Sequence, residues 1–264
     1  MIANRIHRLG FLLLAGLGVS TMPVVSQAAE LRVIAPNAVK HAVEDVVEPW
    51  ARQNGVKLNF TWTGSEAIGR RVLEGEVFDV VITTDRGIDA LLKAGKIAVH
   101  TKMPFARSAV AVGVGPGIAK PDISTVEGLK AAIRNAKTIA ISSGASGRYL
   151  EQLFEQLGVA NEIKSKLRQP PSGAQIGELL ARGDAELGFQ QVTELIGAEG
   201  FQYVGPLPSE VQNYTVWAAG LHWTGVMYSQ MSEIDLSTEL VKQLTKPASD
   251  AVLRKTGLDP VRNP

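Results

Sequence analysis

The stretch "TWTGSEAIGRR", residues 61–71, stops a β-branched, aromatic run at Gly64 and Ser65 and continues with helical spacing. A strand that ends in glycine and serine just before a helix leaves unpaired backbone N–H groups at the helix start, and these favour an anion. Thr63, Gly64 and Ser65 therefore read as an anion-cradling turn, with Arg70 or Arg71 as carboxylate partners from the helix that follows. "ISSGASGR" repeats the pattern, placing Ser146, Gly147 and Arg148 at a helix start, and "IAPNAV" closes a short apolar strand at Pro36, Asn37 and Ala38. Arg86 follows the strand "VVITTD", and Gln190 and Gln191 follow "LGF". A planar guanidinium matches a carboxylate with two parallel donors, so this set suits an organic polycarboxylate; the competing reading puts each arginine on a solvated helix exterior.

Other chemistries find little support. His41, His100 and His222 are isolated, so no metal-ligand spacing exists, and no metal or cofactor is expected. There is no Gly-x-Ser-x-Gly elbow, and "GVGPG" at 113–117 lacks the third glycine and the immediate helix of a dinucleotide site. Ser142, Ser143 and Ser146 have no neighbouring histidine, and a helix-start anion cradle explains them more simply than a nucleophile. Trp50, Trp62, Trp217 and Trp223 read as core or cleft wall.

Residues 1–28 carry Arg5, His7 and Arg8 ahead of an apolar run too short to span a membrane, and "SQA" precedes Ala29. This predicts a cleaved signal peptide and a periplasmic protein. Taking Arg5 and Arg8 from the 27 Lys and Arg leaves 25 against 26 Asp and Glu, a net charge of −1 and no nucleic-acid footprint. With no cysteine, stability has to come from a packed core.

The elements that position these turns alternate. "LRVIAP", "VKLNFTWT" and "FDVVITT" are apolar strands, each followed by a helical stretch, and their continuous rather than alternating apolar runs imply a parallel sheet covered on both faces. Ser124 and Glu127 have capping-box spacing at the next helix, and Asp85 reads as the N-cap of "RGIDALLKAG". The class is α/β, doubly wound, with ligands outside the carboxyl ends of the strands, so the turns at 36–38, 63–65 and 142–147 are expected to share one site.

The order and spacing of "LRVIAPNAVKHAVEDV", "TGSEAIGRRVLEGEVFDVVITTD", "SGRYLEQLF", "GDAELGFQQ" and "KTGLDPV" resembles the periplasmic solute-binding proteins of the molybdate-binding type, cluster-II receptors that feed ABC transporters. The resemblance implies a two-lobed periplasmic binding protein fold of type 2, each lobe a mostly parallel sheet flanked by helices. Lobe 1 would comprise 29–106 plus 208–264 and lobe 2 would comprise 107–207, with crossings near Arg107 and Pro206. It maps the binding turns onto Ala38, Ser65, Ser146, the stretch around Gly173, and Gln191. Two positions depart from the molybdate pattern: Ala38 stands where the family has a hydroxyl, and Gln191 where it has a tyrosine. Losing two neutral donors would cost about 1–3 kcal/mol each toward a tetrahedral oxyanion.

The family includes an enzyme branch, aconitate isomerase, and the altered site and surplus arginines resemble it. The implied chemistry is an allylic proton shift between trans- and cis-aconitate, which needs a proton carrier and stabilised negative charge. His41 in the first helical turn and Glu66 after Ser65 are the candidate carriers, with Asp85 a third; surface placement, a helix N-terminus and an N-cap are their respective structural roles. A carboxylate beside arginines is a poor base, which counts against Glu66. The same resemblance also implies the alternative of a non-catalytic receptor for an oxyanion or small organic acid, partnered by an ABC transporter permease. Either way the expected partner is a small anion, with no nucleic acid, and the protein a monomer.

Overall fold

The computed structural model describes residues 29–171, 173–228 and 231–261. The predicted signal peptide lies outside the described residues. β1 (Ala29–Pro36) passes through a 3-10 turn (Asn37–Val39) into α1 (Lys40–Gln53), β2 (Val56–Thr63) into α2 (Ser65–Leu73), and β3 (Val80–Thr84) into α3 (Asp85–Lys93). Next come β4 (Met103–Val114), α4 (Val126–Asn135), β5 (Ile139–Ile141), α5 (Ala145–Gln156), α6 (Ala160–Ile163) and β6 (Leu167–Arg168). They are followed by α7 (Ile176–Ala181), β7 (Leu187–Gln191), the single turn α8 (Val192–Leu195), β8 (Gln202–Pro206) and β9 (Tyr214–Leu221). The chain then forms α9 (Trp223–Tyr228), α10 (Met231–Thr245), α11 (Asp250–Lys255) and β10 (Asp259–Pro260).

The strands run in the order β2-β1-β3-β9-β4-β7-β5-β6, with β8 and β10 also on β4. β1, β2 and β3 are mutually parallel, as are β5, β6 and β7, whereas β4, β8, β9 and β10 pair antiparallel. The sheet is thus mixed. The reason is topological: β4 carries the chain from one half of the sheet to the other, and the segment that brings it back must run the opposite way. β4 pairs with β9 over Met103–Ala109 and with β7 over Val110–Val114. At the changeover the Gln212 amide acts as a strand would: its Oε1 accepts from the Val110 N–H at 2.9 Å and its Nε2 donates to the Val110 carbonyl at 3.0 Å.

Continuous burial has the expected cause. In β1, Leu31, Val33 and Ala35 enter one core while Ile34 enters another on the opposite face, and in β3 Val80 and Ile82 part from Val81 in the same way. In β5, Ile139 and Ile141 pack against Leu150, Phe154 and Phe189, while Ala140 faces Ile176 and Leu180. Period-2 side chains that are apolar on both faces need layers on both sides.

Two caps fall one residue from their predicted positions. α4 is capped by Thr125, whose hydroxyl accepts from the Gly128 N–H at 3.1 Å, and Ser124 instead donates its N–H to Asp122 at 2.9 Å. α3 is capped by Thr84, accepting from Gly87 N–H at 3.0 Å, which leaves Asp85 as the first helical residue, paired with Lys102 at 2.8 Å. Each stretch offers two adjacent residues with capping side chains, and the extended conformation of the threonine decides between them.

Candidate functional site

α2 and α5 differ from α3 and α4 at their first residues. Gly64 and Gly144 are their N-caps, and neither helix has a side-chain cap. Their first-turn N–H groups are consequently left for whatever lies in front of them, with the positive ends of both helix dipoles behind. Both starts line one narrow cleft, together with Pro36, Asn37, Ala38, Thr63, Ser142, Gly173, Gln190, Gln191, Glu194 and Trp217. The turns predicted to share a site therefore do meet, at the carboxyl ends of β1, β2, β5 and β7.

The walls touch across this cleft. Asn37 Nδ2 donates to the Gly173 carbonyl at 3.0 Å, and Arg148 from α5 pairs with Glu66 from α2. Gly173 has φ +93°, and a side chain there would also press on the Gly64 N–H, so the turn can approach only as glycine. Ser142 and Ser146 share a hydroxyl hydrogen bond of 3.0 Å, and Ser146 is buried. Trp217 on β9 lines the cleft while only 2% exposed, and its buried Nε1 has no hydrogen-bond partner among the described residues. The cavity volume is only about 40 Å³, room for roughly three waters.

The predicted arginines are elsewhere. Arg70 and Arg86 are exposed and do not line the cleft, and Arg71 is engaged by Glu76. Arg148 spends its charge on Glu66, so the cleft itself contains no cation among the described residues. The helix starts were legible from sequence, but helical rotation carries the later arginines away from them: Arg70 lies five residues past Ser65, about 7.5 Å along the axis. His41 is exposed and faces a neighbouring groove of about 700 Å³ instead of the cleft. Asp85 also lies outside both. The Gln191 amide lines the cleft but is directed to the changeover between the sheet halves, bonding Thr215 Oγ1 at 2.8 Å, with Ser108 and Ala109 as partners in the flipped orientation. A residue that braces the changeover thus stands where a ligand donor was expected.

Glu194 was missed. It stands at the third position of α8, with Gln191 as N-cap, and its carboxyl accepts from the Gln191 backbone N–H, half of a capping box. Gln190 Nε2 donates to its Oε1 at 2.8 Å, while Gln190 Oε1 accepts from the Ile176 N–H at 2.8 Å. Its surface is partly exposed, yet the protein packed around it strips enough water that desolvation outweighs both hydrogen bonds and pushes the carboxyl up to about 8. The signal available in the sequence was a carboxylate three residues past the end of the "LGFQQ" strand. Among the described residues no group of three His, Asp or Glu side chains is arranged to hold a metal ion.

Residues 31–259 match the family described as bacterial extracellular solute-binding protein. Over 260 residues the chain is 30% identical to an aconitate isomerase from a Pseudomonas species, covering 96% of this chain and 95% of that one. It is 23% identical over 214 residues to the molybdate-binding protein ModA of Azotobacter vinelandii, covering 77% and 83% respectively. The solved periplasmic molybdate-binding protein of Azotobacter vinelandii superposes with a TM-score of 0.72 at 18% identity, over 89% of this chain and 100% of that one, a likeness that speaks to fold alone.

Proposed function

We propose, since this chain belongs to the bacterial extracellular solute-binding protein family, that it is a periplasmic isomerase interconverting trans- and cis-aconitate in the cleft between two lobes. The lobes are 29–106 with 208–264, and 107–207, turning about the changeover in β4. The observation that carries the reading is the pair of glycine-capped helix starts, α2 and α5, which line one cleft together with Trp217, whose buried Nε1 has no hydrogen-bond partner among the described residues. Fixed N–H donors of this kind hold carboxylates and, equally, stabilise the negative charge that develops when a proton leaves the methylene beside a carboxylate. Identity to the Pseudomonas isomerase across nearly the whole of both chains favours catalysis over transport binding.

A cavity of about 40 Å³ is far below the ~300 Å³ at the lower end of small-molecule sites, so substrate enters by parting of the walls. No helix among the described residues is long and apolar enough to cross a membrane. The decisive experiment is a proton NMR time course of the purified protein with trans-aconitate in deuterated buffer. Enzyme-dependent appearance of the cis acid is expected, and an unchanged spectrum beside saturable thermal stabilisation by molybdate, tungstate, sulfate or citrate would make the protein a receptor instead.

The Glu66–Arg148 pair joins the two lobes at partly exposed positions, with side chains 28% and 55% exposed. A solvated pair of this kind contributes at most about 1 kcal/mol. Glu66→Gln is accordingly expected to weaken trans-aconitate binding by no more than about five-fold, with the difference shrinking in high salt and turnover at saturation unchanged. A collapse of turnover at saturation would restore Glu66 to the chemistry.

A further inference from the structure

We propose that Glu194 is the proton carrier of the allylic shift, an inference that rests on the isomerase reading above. Among the described residues lining the cleft, Glu194 is the one acidic or basic side chain. It also lines the neighbouring groove of about 700 Å³, so this one residue borders both the substrate space and a solvent-filled groove. The two sequence candidates are placed differently: His41 reaches only the groove, and Glu66 is paired with Arg148.

The surroundings of Glu194 fit a carrier better than an anion ligand. Gln190 fixes its orientation and is itself buried and tied to the first residue of α7. A desolvated carboxylate is a stronger base than an ordinary one, and a carboxyl that gains and loses a proton near neutral pH suits proton transfer. The charged groups sharing its groove are Lys40 and His41 of α1, Glu178 of α7, Glu199 beyond α8, and Lys255 of α11. The causes of its displaced titration, to about 8, are desolvation first and then the hydrogen bonds from Gln191 and Gln190, which oppose it.

The step balances without a co-reactant. Ionised Glu194 takes a proton from the methylene carbon. The released C–H pair forms the new double bond, and the old double-bond pair moves to the far carbon and its carboxylate, where the helix N–H groups face the charge. Glu194 then returns a proton to that far carbon. Because the residue also borders the groove, its proton is expected to exchange with solvent, so that deuterium enters the product in heavy water.

The test uses the full mature chain and the variants Glu194→Gln and Glu194→Asp, with turnover of trans-aconitate and binding of the saturated analogue propane-1,2,3-tricarboxylate measured separately. Glu194→Gln keeps the acceptor for Gln190 and is expected to lose at least about 100-fold in kcat while binding the analogue within about three-fold of wild type. Wild-type kcat/KM is expected to rise with pH and level off above about 8, as the carboxyl ionises. Glu194→Asp is expected to retain measurable turnover, and it provides the reading should the glutamine variant fail to fold. A glutamine variant keeping more than a tenth of wild-type turnover overturns the carrier and leaves the isomerase standing. Parallel loss of turnover and analogue binding also overturns it, assigning Glu194 to binding. Absence of turnover in the wild type overturns the isomerase reading and the carrier together.

Discussion

Gly147→Ala is expected to reduce trans-aconitate binding by more than about 100-fold and to destabilise the protein by at least about 3 kcal/mol, the upper end of the cost of overpacking. A Cβ at this position would lie 1.6 Å from the Ser142 carbonyl oxygen and 2.6 Å from its carbon, so the backbone itself would have to move. What moves is the turn that delivers Ser142, Gly144, Ala145 and Ser146 to the cleft, including the uncapped start of α5. Gly69→Ala in α2 is the matched control. Nothing lies within 4 Å of a Cβ there, and exchanging a mid-helix glycine for alanine is expected to stabilise by about 0.5–1 kcal/mol. Urea denaturation and calorimetric titration of the pair separate a local from a global effect. Wild-type affinity in Gly147→Ala would remove the α5 start from the binding surface.

The fold could be read from sequence because its strands are apolar on both faces. Leu31, Val33 and Ile34 leave little choice but a sheet covered on two sides, and each strand end is marked by small polar residues. The antiparallel members were less legible, since pairing direction follows from how β4 and β9 pass between the halves, which no local pattern records. The site divides along the same line. Gly64, Ser65, Ser146 and Gly147 announce helix starts through local backbone chemistry, and those starts do line the cleft or shape it. The placement of the arginines was not legible: helical rotation turns Arg70 away from the cleft, Arg71 pairs with Glu76 five residues on, and Arg148 meets Glu66 at a separation of 82 residues. Glu194 was hidden for a related reason. Its identity suggests an ordinary carboxylate near a helix N-terminus, and only the packing around it makes desolvation the larger effect.

Glu194→Gln is expected to raise stability at neutral pH while removing turnover, and the pH dependence of that gain is the informative part. The folded carboxyl titrates at about 8 against an ordinary value of 4.5. Below about pH 4.5 the folded and unfolded chains both hold the proton, and the group is neutral to stability relative to glutamine. Between the two values the unfolded chain releases the proton while the folded chain keeps it, so the stability held at low pH is progressively lost as pH rises toward 8. At pH 7 linkage caps the loss at about 3 kcal/mol, worth about 6–12 °C in Tm for a chain of this size. The glutamine variant should escape it, because its amide keeps an oxygen for Gln190 without carrying a charge. Thermal melts of wild type and variant should therefore coincide near pH 4.5 and diverge steadily toward pH 8. Parallel curves would mean that Glu194 ionises as freely in the fold as in water, and the desolvated cleft wall would have to be abandoned. A carboxyl that costs stability throughout the neutral range is easily replaced by its amide, so opposite movements of stability and turnover in one variant would show what the fold retains it for.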